Sequence, residues 1–207
     1  MNSNSRKNNE RRKEIANTLY EIDGIKFGEF TLSSGKKSPY YVDLRVIPSH
    51  PNLFKKVKEL CTDAIKEEID QKHFKIAGVP TAGVPLAAII SQDLQLPLLY
   101  IREEKKSHGR KKMIEGKFSE DEVLLIDDVT TTGGSIIEAA EKIRDNGGTV
   151  KHAVVVLDRK EGAKEELQKI GIELHSCYTI TELINQLKDS KKIDEEEYDT
   201  IMNYIEK

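Results

Sequence analysis

The chain reads as an α/β protein, with a mostly parallel central sheet flanked by helices. Three observations carry that reading. Short β-branched or aliphatic runs alternate with segments of helical periodicity, the pattern of repeated βαβ units. One of those runs, residues 123–126, is entirely aliphatic, as a strand buried on both faces is. The length of 207 residues fits one domain, or a domain with a small appendage, and supplies a core without disulfides or metal.

The elements follow in order. Residues 1–8 are polar and expected to be frayed. Ile15, Leu19 and Ile22 recur at helical spacing and place a first helix over about 9–22. Residues 27–32 and 39–45 read as extended, joined by the turn-rich run Ser33 to Ser38. Pro51 suits the first turn of a helix whose apolar stripe is Leu53, Val57, Leu60, Ala64 and Ile65. Strands are then expected at 75–79, 98–101, 123–126, 150–157 and 172–178. Helices are expected at 83–94, 135–146, 164–170, 181–188 and 194–206. Gly147-Gly148 and Gly171 punctuate two of these helices. On such sheets ligands bind at the carboxyl ends of the strands. The whole of 1–207 reads as a single domain.

Composition narrows the function. There are 36 acidic and 33 basic residues, a net charge of −3, which argues against a general nucleic-acid binder. Every apolar run is far shorter than the ~18 residues of a spanning helix, and the polar start lacks a signal-peptide core. Cys61 and Cys177 sit in no CxxC pair and read as buried small hydrophobes. The expectation is a cytoplasmic protein with neither membrane nor nucleic-acid partner. Charge is uneven, however. Residues 102–117 hold seven basic and three acidic side chains, whereas 188–207 hold four and seven.

Five segments carry chemistry. In the first, residues 123–135, an aliphatic strand ends in Asp127-Asp128-Val129-Thr130-Thr131-Thr132-Gly133-Gly134-Ser135 and opens a helix. Glycines let the backbone wrap an anion, hydroxyls add donors, and a helix start offers free N–H groups with a positive dipole end. Two carboxylates beside such a cradle suit a ribose diol. The second runs from Phe27 to Arg45, where a Gly/Ser turn precedes Tyr40 and Tyr41, flat surfaces against a ring. Alone it reads equally as a hairpin with aromatic core residues. The third is the basic run from Arg102 to Gly116, with Lys106 and His108, bounded by glycines and lying between strands. It suits a cationic lid over a polyphosphate, or a solvated face. The fourth is Gly78-Val79-Pro80-Thr81-Ala82-Gly83 between strand and helix. The fifth is Asp158-Arg159-Lys160-Glu161-Gly162, where an arginine closes an apolar strand. Its guanidinium fits a planar carboxylated ring, or a surface ion pair.

Together and in this order, over about 27–162, the segments resemble the orotate branch of the type I phosphoribosyltransferases. The resemblance implies that fold with a small amino-terminal hood, drawn mainly from about 20–45, and a mobile loop. It also implies transfer of ribose 5-phosphate from phosphoribosyl pyrophosphate (PRPP) to orotate, with orotidine 5′-monophosphate and pyrophosphate as products. It assigns PRPP to Thr81, Ala82, Gly83, Arg102, Lys106, His108 and all of Asp127 to Ser135. Orotate falls to Thr131, Arg159, Tyr40 and Tyr41. Catalytic roles fall to Lys106, His108, Arg102 and Asp128. Some family members carry lysine where this chain has Ser33, Ala82 and Glu103, so no contact is assigned to Ser33 or Glu103 and only main-chain donors are implied at Ala82. Mg²⁺ is implied as cofactor, held by PRPP and pyrophosphate rather than by protein ligands. A homodimer is implied because the lid serves the neighbouring subunit. Two rivals stay open: a transferase for another base, and a non-catalytic PRPP sensor that binds nucleic acid. The first would not need Arg159 or the hood; the second would show steep salt dependence.

Overall fold

The structure is a computed structural model that describes residues 3–31, 35–69, 74–102 and 113–206. Two compact units divide the chain: Met1–Leu60 with Tyr178–Lys207, and Cys61–Cys177.

The second unit holds the sheet. Its strands are β3 (Phe74–Gly78), β4 (Leu98–Ile101), β5 (Ile114–Glu115), β6 (Glu122–Thr130), β7 (Thr149–Asp158) and β8 (Glu173–Thr179), whose last residues cross into the other unit. Their order is β5-β4-β3-β6-β7-β8. The pairs β3/β4, β3/β6 and β6/β7 are parallel, and only the short β4/β5 pair among those registered is antiparallel. The helices α3 (Gly83–Leu94), α4 (Gly134–Arg144) and α5 (Ala163–Lys169) are the crossovers. The expected mostly parallel sheet is therefore present. Val123, Leu124, Leu125 and Ile126 are wholly buried, and Leu125 packs with Val155, Ile136, Ala140 and Ile143 in one core. Burying each such side chain contributes roughly 1.5–3 kcal/mol before entropy is set against it.

The first unit contains α1 (Ser3–Glu21), the antiparallel pair β1 (Ile25–Thr31) and β2 (Lys37–Val42), the start of α2 (Pro51–Glu68), α6 (Ile180–Asp189) and α7 (Glu195–Ile205). Ile15, Ala16 and Leu19 bury one face of α1 among the apolar face of α6, Ile180, Leu183, Ile184 and Leu187. The Tyr178 hydroxyl donates to the Arg12 carbonyl at 2.6 Å. Thr179 with Glu182 and Asp194 with Glu197 form capping boxes, which satisfy the first N–H groups of α6 and α7 and start each helix where it starts.

Several boundaries depart from the sequence reading. The first helix begins at Ser3, inside the stretch expected to fray, because Lys, Arg and Glu continue a helix once Ile15 and Leu19 anchor it. The strand expected over 39–45 stops at Val42. The Asp43 carboxylate accepts from the Arg45 N–H at 3.1 Å and caps a 3₁₀ turn, Leu44–Ser49, instead. β6 runs to Thr130, four residues beyond the aliphatic run, because Asp127, Val129 and Thr130 remain in register with Val155, Leu157 and Asp158 of β7. The two-residue β5 was not anticipated.

Cys61 and Cys177 are both free and buried, as expected, with sulfurs 3.3 Å apart. The hydrogen bond to Cys177, with burial, holds the Cys61 thiol well above the usual thiol range. Among the described residues no helix is long and apolar enough to cross a membrane.

Candidate active site

The chemistry of the second unit gathers at the carboxyl ends of β3, β6 and β7. β6 delivers Asp127, which is buried, and Asp128, which is half-buried. Each carboxylate takes up the backbone N–H that follows it: Asp128 N–H to Asp127 Oδ1 at 2.9 Å, and Val129 N–H to Asp128 Oδ1 at 2.8 Å. Burial, reinforced by the charge of Asp128, pushes the Asp127 carboxyl up to about 8. Asp127 is therefore protonated at neutral pH in the ligand-free chain. It can offer one O–H donor beside the Asp128 carboxylate acceptor.

Past Thr130 the backbone turns into α4. Gly133 sits at φ +85°, where a side chain is strained, and a Cβ there would also press on Leu167 at 3.3 Å. No side chain caps α4. The N–H groups of its first turn thus stay directed at the loop, beside exposed Thr132 and Ser135 and half-buried Thr131. This is an anion cradle built of main chain and hydroxyls.

The loop after β3 closes against the same strand end. Val79 N–H donates to the Ile126 carbonyl at 2.8 Å, and the Pro80–Thr81 peptide is cis. A Cβ on Gly83 would run into that carbonyl oxygen, and one on Gly78 would stand 2.5 Å from Val84 Cα. Both positions demand glycine for close approach rather than for turn geometry. Thr81 is exposed and Ala82, the residue before α3, makes no side-chain cap bond, so the loop offers main-chain donors.

From β7, Arg159 N–H donates to the Thr130 carbonyl at 3.0 Å and Ala163 N–H to the Thr131 carbonyl at 3.2 Å, which ties the fifth segment to the phosphate-type loop. The Arg159 side chain is 8% exposed and pairs with Glu161 at 2.8 Å. Asp158 accepts from the Lys160 N–H at 2.8 Å, and burial raises its carboxyl above the usual range.

Three of the five segments, Thr81 to Gly83, Asp127 to Ser135 and Arg159, are thus one site. Arg102 follows β4, and its guanidinium is bonded to Glu115 of β5 at 3.0 Å. Lys106 and His108 lie outside the described residues. Tyr40 and Tyr41 belong to the other unit and point to opposite faces of β2. Tyr40 is 1% exposed and packs edge-on to Tyr204, so its ring is spent inside that unit. Tyr41 is 36% exposed beside Phe30, within reach of Arg45. Sequence reasoning quoted Gly78 and Asp158 within their segments but assigned neither to the site. The signals were the Gly78/Gly83 spacing and an acidic residue at the end of an otherwise apolar strand.

A parallel sheet whose strand ends carry an acidic pair, a glycine-hydroxyl anion loop and a second main-chain loop defines a phosphoribosyltransferase. Residues 45–187 match the family model of the phosphoribosyl transferase domain, and the chain belongs to that family. Within it, its place is with the orotate phosphoribosyltransferases. The orotate phosphoribosyltransferase of Sulfolobus acidocaldarius is 45% identical over 194 residues, covering 94% of this chain and 97% of that protein. The orotate phosphoribosyltransferase structure from Aeropyrum pernix matches with a TM-score of 0.73 at 32% identity, over 84% of this chain and 99% of that one. Leishmania donovani UMP synthase matches with a TM-score of 0.83 at 34% identity over 93% of this chain, which spans 42% of that longer protein.

Proposed function

We infer that the site transfers ribose 5-phosphate from PRPP to orotate, releasing pyrophosphate and forming orotidine 5′-monophosphate, a step of pyrimidine nucleotide synthesis. The observation that carries this is the bonding of three strand-end loops into one cradle: Val79 to Ile126, Arg159 to Thr130, and Ala163 to Thr131.

The roles follow from the donors on hand. The main chain of Val129 to Ser135 and the start of α4 hold the 5′-phosphate, with the Thr130, Thr131, Thr132 and Ser135 hydroxyls completing its shell. Asp127 and Asp128 meet the ribose diol, one donating and one accepting. Thr81, Ala82 and Gly83 present main-chain N–H groups to the pyrophosphate. Arg102, Lys106 and His108 bring cationic charge to the same group as negative charge builds on it, and His108 can give it a proton. Arg159 takes the orotate carboxylate, and Thr131 contributes a hydroxyl. Orotate is already anionic, so acceleration comes from positioning and leaving-group stabilisation rather than from a strong base.

Mg²⁺ fits as a passenger of PRPP. Asp127 is largely protonated and both carboxylates are engaged by backbone N–H groups, so the pair is a poor cage for a hard dication. When bound, the ion supplies charge neutralisation to the pyrophosphate. The homodimer is supported by the exposed apolar side chains of β4, Leu98 at 42% and Tyr100 at 51%. A cytoplasmic location suits the reaction.

Mixing the protein with orotate, PRPP and Mg²⁺ tests the assignment through orotate absorbance and pyrophosphate release. Stoichiometric loss of orotate and appearance of pyrophosphate are expected. Consumption of another base with orotate untouched overturns it.

A further inference from the structure

A second cluster lies on β7 and β8, away from the loops of the transferase site. His152 is the fourth residue of β7, six residues before Asp158, so at strand rise it stands about 20 Å from the transferase loops along that strand. His152 Nδ1 is 3.1 Å from His175 Nε2 and 3.7 Å from Glu173 Oε2, and His175 Nε2 is 3.9 Å from the same oxygen. Among the described residues these three form the one group of such side chains whose ligand atoms converge this closely.

Two further features point to a cation rather than to packing. First, the triangle of those three atoms has a centre about 2.1 Å from each, which matches imidazole and carboxylate bonds to zinc. Second, His175 is 6% exposed, and its Nδ1 is 2.6 Å from Glu68 Oε2. A carboxylate at that nitrogen holds the proton on Nδ1 and leaves the Nε2 lone pair directed at the centre, the carboxylate–histidine arrangement that orients metal ligands. A cavity of about 460 Å³, lined among others by His152, Gln168 and Glu173, adjoins the cluster and leaves room for a water as fourth ligand. Two imidazoles and one carboxylate are borderline donors suited to zinc rather than to Mg²⁺.

We propose that His152, His175 and Glu173, with Glu68 orienting His175, form a Zn²⁺ site separate from the transferase centre. The test is competition between the metal-stripped full chain and a chromophoric zinc indicator of micromolar affinity, in excess Mg²⁺ and without PRPP. One Zn²⁺ per chain should leave the indicator, and Co²⁺ in its place should give the visible band of a four-coordinate ion. His152→Asn should weaken binding at least about 100-fold. Glu173→Gln, at an exposed position that folding does not need, should weaken it at least about 10-fold. Glu68→Gln should weaken it about 10–100-fold without removing a ligand. Glu173→Gln should leave orotate turnover unchanged. No Zn²⁺ drawn from the indicator overturns the site. So does binding that survives His152→Asn and Glu173→Gln together, since the metal then belongs to His50, His73 or His108.

Discussion

Replacing Asp127 by Asn separates the electrostatic cost of this carboxyl from its shape. The amide keeps an oxygen to accept the Asp128 N–H, so the strand end retains its hydrogen bond. What disappears is titration. The carboxyl rises from 3.8 to about 8 on folding, chiefly through burial and then through the Asp128 charge. Because the folded value is the higher one, the folded chain holds the proton that the unfolded chain releases. The associated stability is fully present below about pH 3.8 and is lost as the pH rises through about 8. The loss is about 1.4 kcal/mol per pH unit, or about 6 kcal/mol across the window as an order of magnitude. Groups other than the coupled neighbour Asp128 titrate alike in both proteins and cancel in the difference. Urea unfolding of ligand-free wild type and Asp127→Asn at pH 4, 6 and 8 measures it. The two should be close in stability at pH 4, and the variant should be progressively the more stable toward pH 8, although it loses PRPP binding. Parallel stability profiles over this range would refute the reasoning, because they would mean that Asp127 ionises in the folded chain as it does in the unfolded one.

Other perturbations address the remaining parts of the site. Arg159→Ala should raise the orotate KM about 10–100-fold, the loss of a charge-assisted pair of about 1.5–3 kcal/mol, with the PRPP KM little changed; steady-state kinetics with each substrate varied will show it. Lys106→Ala should lower kcat by two or more orders of magnitude with PRPP affinity less affected, and near-wild-type turnover removes the lid role. Gly83→Ala drives a methyl into the Ile126 carbonyl and should cost about 1–3 kcal/mol together with most activity, read by thermal unfolding and turnover. An unaffected Gly83→Ala enzyme would show that the β3 loop does not need its close approach to β6.

Much of the site was legible because its signals are local. An aliphatic strand, an acidic pair and a glycine-hydroxyl turn lie within thirteen consecutive residues, and the physics that makes them an anion cradle acts over that same range. Arg159 was legible for a similar reason, as a cation ending an apolar strand. The limits arose where competing interactions are not local. Alternation places one of Tyr40 and Tyr41 inward, but which of them depends on a partner 164 residues after Tyr40, namely Tyr204. The extension of β6 through Asp127 to Thr130 depends on register with β7, since two carboxylates have poor strand propensity of their own.

Sequence alone determined the alternation of strands and helices and the glycine-hydroxyl turn at the end of the aliphatic strand. These follow from period, turn chemistry and the reach of a few consecutive residues. Tertiary structure alone decided that Asp127 holds its proton at neutral pH, that Gly83 rests on the Ile126 carbonyl, and that Glu68, His152, Glu173 and His175 meet. Burial and charge proximity are properties of space, and residues more than a hundred positions apart acquire them only when the sheet assembles.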